Sequence, residues 1–79
     1  MARVRYFASA AEAAGTDEEQ LDGASVGEVL AAAERAHGDR LAEVLTRCSV
    51  LHEGRYVDDH GALVQASDTI DVLPPFAGG

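Results

Sequence analysis

The last seven residues, Leu73-Pro74-Pro75-Phe76-Ala77-Gly78-Gly79, are the stretch whose residue types and spacing could do chemistry. Proline lacks an amide hydrogen, fixes φ and holds the residue before it extended, so two in succession stiffen Leu73 to Phe76 into a stem. Six residues at about 3.1 Å each reach ~19 Å, enough to enter a cleft in another protein. Gly78 and Gly79 add no side chain, so they fit a narrow channel and accept strained backbone angles. The group such a tail delivers is the α-carboxylate of Gly79. With a pKa of about 3.5 it is ionised and inert toward nucleophiles at neutral pH. Activation by ATP to an acyl-adenylate would make it an electrophile. A frayed terminus is the plain alternative, but two terminal glycines arise by chance in roughly 0.5% of chains, and Pro-Pro is a poor prelude to fraying.

Other candidates inside the chain are weaker. His37, His52 and His60 lack the close spacing of a helical or hairpin metal pair, and one cysteine supplies no zinc cluster, so no metal site is expected. Cys48 would be a nucleophile only with a base and a depressed pKa, and it continues an apolar stripe instead. Asp58-Asp59-His60 beside Gly61 reads as a polar turn, and the carboxylates at 17–19 as a solvated edge. Neither G-x-x-x-x-G-K-[ST] nor G-x-G-x-x-G occurs, so ATP is expected to be used by an activating partner, with no cofactor bound here.

Composition sets the frame for that tail. Seventy-nine residues make one domain with one modest core, burying about 60% of the unfolded surface. Six basic against fourteen acidic residues give a net charge of −8. Nucleic acid and anionic membrane both demand Lys/Arg to displace counterions, so neither is an expected partner; a basic protein is. A lone cysteine suits a reducing compartment, and the apolar run Tyr6-Phe7-Ala8 is too short for a signal peptide, so a cytoplasmic location is expected.

The elements that must position the tail follow from periodicity. ARVRYFA (2–8) alternates, with Val4, Tyr6 and Ala8 on one side and Arg3, Arg5 and Phe7 on the other, which predicts a strand. Ser9-Ala10-Ala11-Glu12 has capping-box spacing and Gly15 can end the short helix it opens. Glu18 to Leu21 reads as an edge strand. Ser25-Val26-Gly27-Glu28 is a second capping box, opening the main helix over about 26–37, where Val26, Val29, Leu30, Ala33 and His37 form one stripe and Gly38 stops it. Asp39 is placed to cap a further helix, with Leu41, Val44, Leu45 and Cys48 in register. Residues 49–52 and 56–57 read as strands about a Glu53-Gly54 turn, Leu63-Val64 as a brief apolar patch, and Thr69 to Leu73 as the last strand, ended by Pro74.

This order predicts a two-layer α+β domain, a mixed sheet with one main helix packed on one face, over residues 1–73, followed by an extended tail over 74–79. The first and last strands can lie side by side and parallel. Val4, Tyr6, Val26, Val29, Leu30, Ala33, Leu41, Leu45, Ile70 and Val72 are the expected core. Phe7 and Leu73, with Phe76 beyond them, are expected on the sheet face away from the helix as a partner interface.

The start RVRYFA, the small-residue helix ending in Gly15-Thr16, the S-V-G-E-V-L helix start and the terminal P-P-F-A-G-G together resemble a ubiquitin-like β-grasp sulfur carrier. The nearest resemblance is to the small subunit of molybdopterin synthase, running essentially from Arg3 to Gly79. It implies that an adenylating enzyme related to ubiquitin activators adenylates Gly79, and that a sulfur donor protein converts it to a thiocarboxylate. It further implies that the tail (Pro74, Pro75, Phe76, Ala77, Gly78) then enters a channel in the large synthase subunit. There the sulfur would build the dithiolene of molybdopterin from cyclic pyranopterin monophosphate. The chain would be the sulfur-donating, non-catalytic subunit of a sulfurtransferase. Ala11 stands where relatives often carry a basic residue, and Leu51-His52-Glu53 where many have Val-Asn. Both positions bear on which activator and acceptor are served. A bare Gly-Gly also suits carriers for cysteine, thiamine or tRNA thiolation and ubiquitin-like modifiers, while a non-covalent acidic binding module would not need Gly79 at all.

Overall fold

Five strands form a mixed sheet in the computed structural model, which describes residues 1–75. β1 (Ala2–Tyr6) sits between β2 (Glu18–Leu21), antiparallel to it, and β5 (Thr69–Leu73), parallel to it. On the far side of β5 come β3 (Ser49–His52), antiparallel to β5, and then β4 (Arg55–Val57), antiparallel to β3. The last strand therefore occupies the middle of the sheet. The β3–β4 turn has positive φ at both Glu53 and Gly54, the geometry whose twist suits a tight hairpin. Three helices, α1 (Ser9–Ala14), α2 (Val26–His37) and α3 (Asp39–Leu45), cover one face.

Alternation along the strands decides which side chains meet those helices. Val4 pairs with Ile70 and Tyr6 with Val72, Val72 also pairs with Val50, and all five are buried beside Val26, Val29, Leu30, Ala33 and Leu41. The structure adds Ala2, Ala10, Ala14 and Val50 to the expected core. Leu45 is only half-buried, because α3 ends there and leaves it at the margin.

α2 starts as its sequence requires: Ser25 Oγ accepts from the Glu28 amide at 3.2 Å, satisfying one of the helix's free donors. Glu28 returns the bond one residue earlier than expected, to the Ala24 amide at 3.3 Å. Gly15 ends α1 in the left-handed conformation.

Five local expectations are corrected or resolved. β1 stops at Tyr6, because the chain turns sharply at Ala8 (φ 50°, ψ −125°) to enter α1. Ala8 is consequently the residue before α1, and no Ser9–Glu12 capping box forms. Asp39 is the first residue of α3, not its cap; Gly38 holds that position without a side-chain bond. Cys48 lies beyond α3, half-buried, with its thiol donating to the Val44 carbonyl at 3.2 Å. The patch at Leu63 proves to be an isolated bridge to Ser25 that leaves Leu63 76% exposed.

A polar cluster ties the β2 edge to the core. The Tyr6 hydroxyl donates to Glu19 Oε2 at 2.6 Å, and His37 Nε2 lies 2.5 Å from the same oxygen. Burial, reinforced by the Glu19 hydrogen bond, pushes the Tyr6 phenol well above its ordinary value. The sign of the linkage follows. Folded Tyr6 resists ionisation that the unfolded chain undergoes at about pH 10, so its contribution is complete below that pH and lost as pH rises past it. The melting temperature of the native chain should fall more steeply above about pH 10 than that of Tyr6→Phe. Parallel curves would show that Tyr6 does not carry the alkaline sensitivity.

Candidate functional site: the root of the tail and the open sheet face

β5 delivers the C-terminal segment. It is held on both sides by ladders, to β1 and to β3, so the position and direction of Leu73 are fixed by two neighbours. Pairing ends at Leu73; Pro74, half-buried, and Pro75, exposed, follow without secondary structure. Pro74 cannot donate to either ladder, which accounts for the clean exit. Around this root, Ser9, Val44, Arg47, Pro74 and Pro75 line a cleft between the start of α1 and the end of α3. Phe76, Ala77, Gly78 and Gly79, the residues expected to carry the chemistry, lie outside the described residues.

The sheet face turned away from the helices is the second part of the site. Phe7 extends the β1–β5 ladder by donating its amide to the Val72 carbonyl at 3.1 Å, and its side chain is 40% exposed. Leu73 is half-buried one position beyond Val72. By the same alternation Leu51, half-buried, and Tyr56, 67% exposed, continue this face across β3 and β4, where they pair with each other.

Sequence reasoning missed an ion pair in the middle of that face. Arg5 Nε and Nη2 donate to Asp71 Oδ1 and Oδ2 at 2.6 and 2.9 Å, a bidentate pair across the parallel β1–β5 register. Asp71 is only 7% exposed, although it faces away from the core. Its hydrogen bonds and charge raise the Arg5 guanidinium further above its already high value. Arg5 also lies over the Phe7 ring, 5.8 Å from its centroid, so Asp71 holds Arg5 and Arg5 lies against Phe7. The available signal was parity: Arg5 shares the face of Phe7, and Asp71 that of Leu73.

His52 is bonded to Asp68 at 2.7 Å, and among the described residues no cluster of three or more His, Cys, Asp or Glu could hold a metal. Among the same residues, no helix is long and apolar enough to cross a membrane.

A mixed sheet of order β2-β1-β5-β3-β4, helices on one face and a central last strand running into Pro-Pro, defines a ubiquitin-like β-grasp domain of the sulfur-carrier class. The chain belongs to the ThiS family, whose model matches residues 4–79. It is therefore a small sulfur carrier or ubiquitin-like modifier. Solved structures agree. Small archaeal modifier protein 1 from Methanosarcina acetivorans is 28% identical with a TM-score of 0.87, over 99% of this chain and 95% of that one. Its counterpart from Haloferax volcanii is 30% identical with a TM-score of 0.82, over 99% and 98%. A putative molybdopterin converting factor, subunit 1, from Pyrococcus furiosus is 26% identical with a TM-score of 0.79, over 95% and 97%. Among curated proteins there is no significant match.

Proposed function

We propose that this chain carries sulfur as a thiocarboxylate on Gly79 and donates it, as the small subunit of molybdopterin synthase, to cyclic pyranopterin monophosphate. The observation that carries the proposal is the P-P-x-x-G-G terminus rooted in the central strand, beside an open face bearing Phe7 and Leu73. The similarity to the Pyrococcus furiosus protein supports it. A ubiquitin-activator-like enzyme uses ATP to form the Gly79 acyl-adenylate. The terminal sulfur of a donor protein's persulfide attacks that carbonyl carbon, and AMP leaves with the electron pair. A thiol then reduces the resulting acyl disulfide, leaving the thiocarboxylate. The stem of Pro74 and Pro75 passes Phe76, Ala77, Gly78 and Gly79 into the channel of the large subunit, which supplies the catalytic side chains. Phe7 and Leu73 dock against that subunit.

A second reading has its own support: the two archaeal relatives are named as modifiers, and the same activated carboxylate could form an amide with an amine of a target protein. Carriers for cysteine, thiamine or tRNA thiolation share the chemistry up to the acceptor. One experiment separates these outcomes. The thiocarboxylated chain is mixed with the large synthase subunit and cyclic pyranopterin monophosphate, and pterin dithiolene is followed by mass spectrometry. Dithiolene formation supports the proposal; none, with amide-linked conjugates forming instead in a lysate, would establish the modifier. In the same system Phe7→Ala should weaken binding to the large subunit about tenfold, the usual cost of an interfacial aromatic anchor, without altering the melting temperature. An unchanged affinity by calorimetry would remove Phe7 from the interface.

A further inference from the structure

An activated C terminus is a hazard to its own chain. The α-carbonyl of an acyl-adenylate is attacked by any neighbouring amine: a C–N bond forms, the C–O bond to AMP breaks, AMP leaves with the electron pair and the amine gives up a proton to water. A lysine near the tail would thus cyclise the chain, and a lysine anywhere on the surface would link one copy to the next. All six basic side chains of this protein are arginines, at positions 3, 5, 35, 40, 47 and 55; the sequence contains no lysine. The guanidinium stays protonated far above neutral pH and supplies positive charge without a free amine.

The structure shows where this matters most. Arg47 lines the cleft at the root of the tail with Ser9, Val44, Pro74 and Pro75, and its Nη2 bonds Glu43 Oε1 at 3.3 Å. Arg5, on the open face beside Phe7, is engaged by Asp71. The chain's one thiol is also near the root, since Ser49 pairs with Leu73 and Cys48 precedes it. That thiol donates to the Val44 carbonyl, and burial pushes its pKa up, so little of it is thiolate. Because β1 and β5 run parallel, Met1 lies at the opposite end of the sheet from Leu73.

We infer that the surroundings of the tail are kept free of competent nucleophiles, so that the activated Gly79 passes only to sulfur or to a different protein. The inference rests on Gly79 being the activated group and extends it in one respect. If the chain modifies proteins, no side-chain amine of an attached copy can accept a second, which leaves only the Met1 α-amine for chain building.

The test uses the folded chain bearing a Gly79 thioester, made by intein cleavage so that no activating enzyme is involved, and incubated at mildly alkaline pH. Intact mass and peptide mapping of the native chain should show only hydrolysis to the free acid. Arg47→Lys, a change on an exposed side chain, should give an adduct linking Gly79 to position 47. That adduct would be cyclised, one water below the variant's free acid, or dimeric. Two results would overturn the inference: self-adducts of the native chain, or an Arg47→Lys thioester that hydrolyses as cleanly as the native one. Pyrophosphate exchange with an adenylating enzyme reports separately on whether Gly79 is the activated group. Its failure would remove that premise while leaving the thioester result intact.

Discussion

A chain extended by one alanine after Gly79 is expected to take up no sulfur at all, with its melting temperature unchanged. The added residue turns the reactive carboxylate into an inert amide and moves the terminal carbonyl beyond the place where an activator must find it. The added residue lies beyond Leu73, where the sheet's last ladder ends, so the fold is expected to keep its stability. The measurement is intact mass after incubation with ATP, an adenylating enzyme and a sulfur donor. The native chain should gain the increment of one oxygen-to-sulfur exchange, on its C-terminal peptide, and the extended chain none. Substituting a bulkier residue for Gly78 should impair the same reaction, because a Cβ would clash in a narrow channel. Equal uptake by native and extended chains would refute a working carboxylate and direct attention to Cys48.

The largest effect on the fold is expected from Ile70→Ala. Ile70 is fully buried in the central strand and pairs with Val4 on β1 and His52 on β3. Its truncation removes transfer free energy and leaves a cavity that strands held on both sides cannot collapse to fill, a loss of about 2–5 kcal/mol. For a domain this small the whole stability is of order 4–12 kcal/mol, so much of it would go. Chemical denaturation should show a lower midpoint with an unchanged slope. A midpoint shift of less than about 1 kcal/mol would mean that the sheet does repack around the space.

What could be read from the sequence was whatever repeats with a clear period or follows a local rule. The stripe Val26-Val29-Leu30-Ala33 after Ser25 gave the main helix, cap included, because a capping box and an amphipathic face agree there. Ile70 and Val72 before Pro74 gave the last strand and its end. Where long-range pairing decides, local rules fell short. Ser9 and Asp39 are good capping residues, but the path from β1 into α1 and from α2 into α3 puts Ala8 and Gly38 in those positions. Asp71 alternates with the core residues Ile70 and Val72 and so faces away from them; that it is nearly buried there depends on Arg5, sixty-six positions away. The open face was legible at Phe7 and Leu73 and illegible at Leu51 and Tyr56, since only the strand order places β3 and β4 on that side of β5.

The central position of β5 also governs how the protein is made. Until residues 69–73 arrive, β1 with β2 and β3 with β4 are two hairpin-like fragments with no ladder joining them. Those residues leave the ribosome after the other four strands, and pairing strands so distant in sequence is slow compared with local folding. The nascent chain therefore has no complete sheet until the last of its five strands has been made. A transcript cut short before residue 69 would yield a chain that cannot close its sheet and is left to proteases, so folding itself screens out chains that lack the strand from which the tail springs.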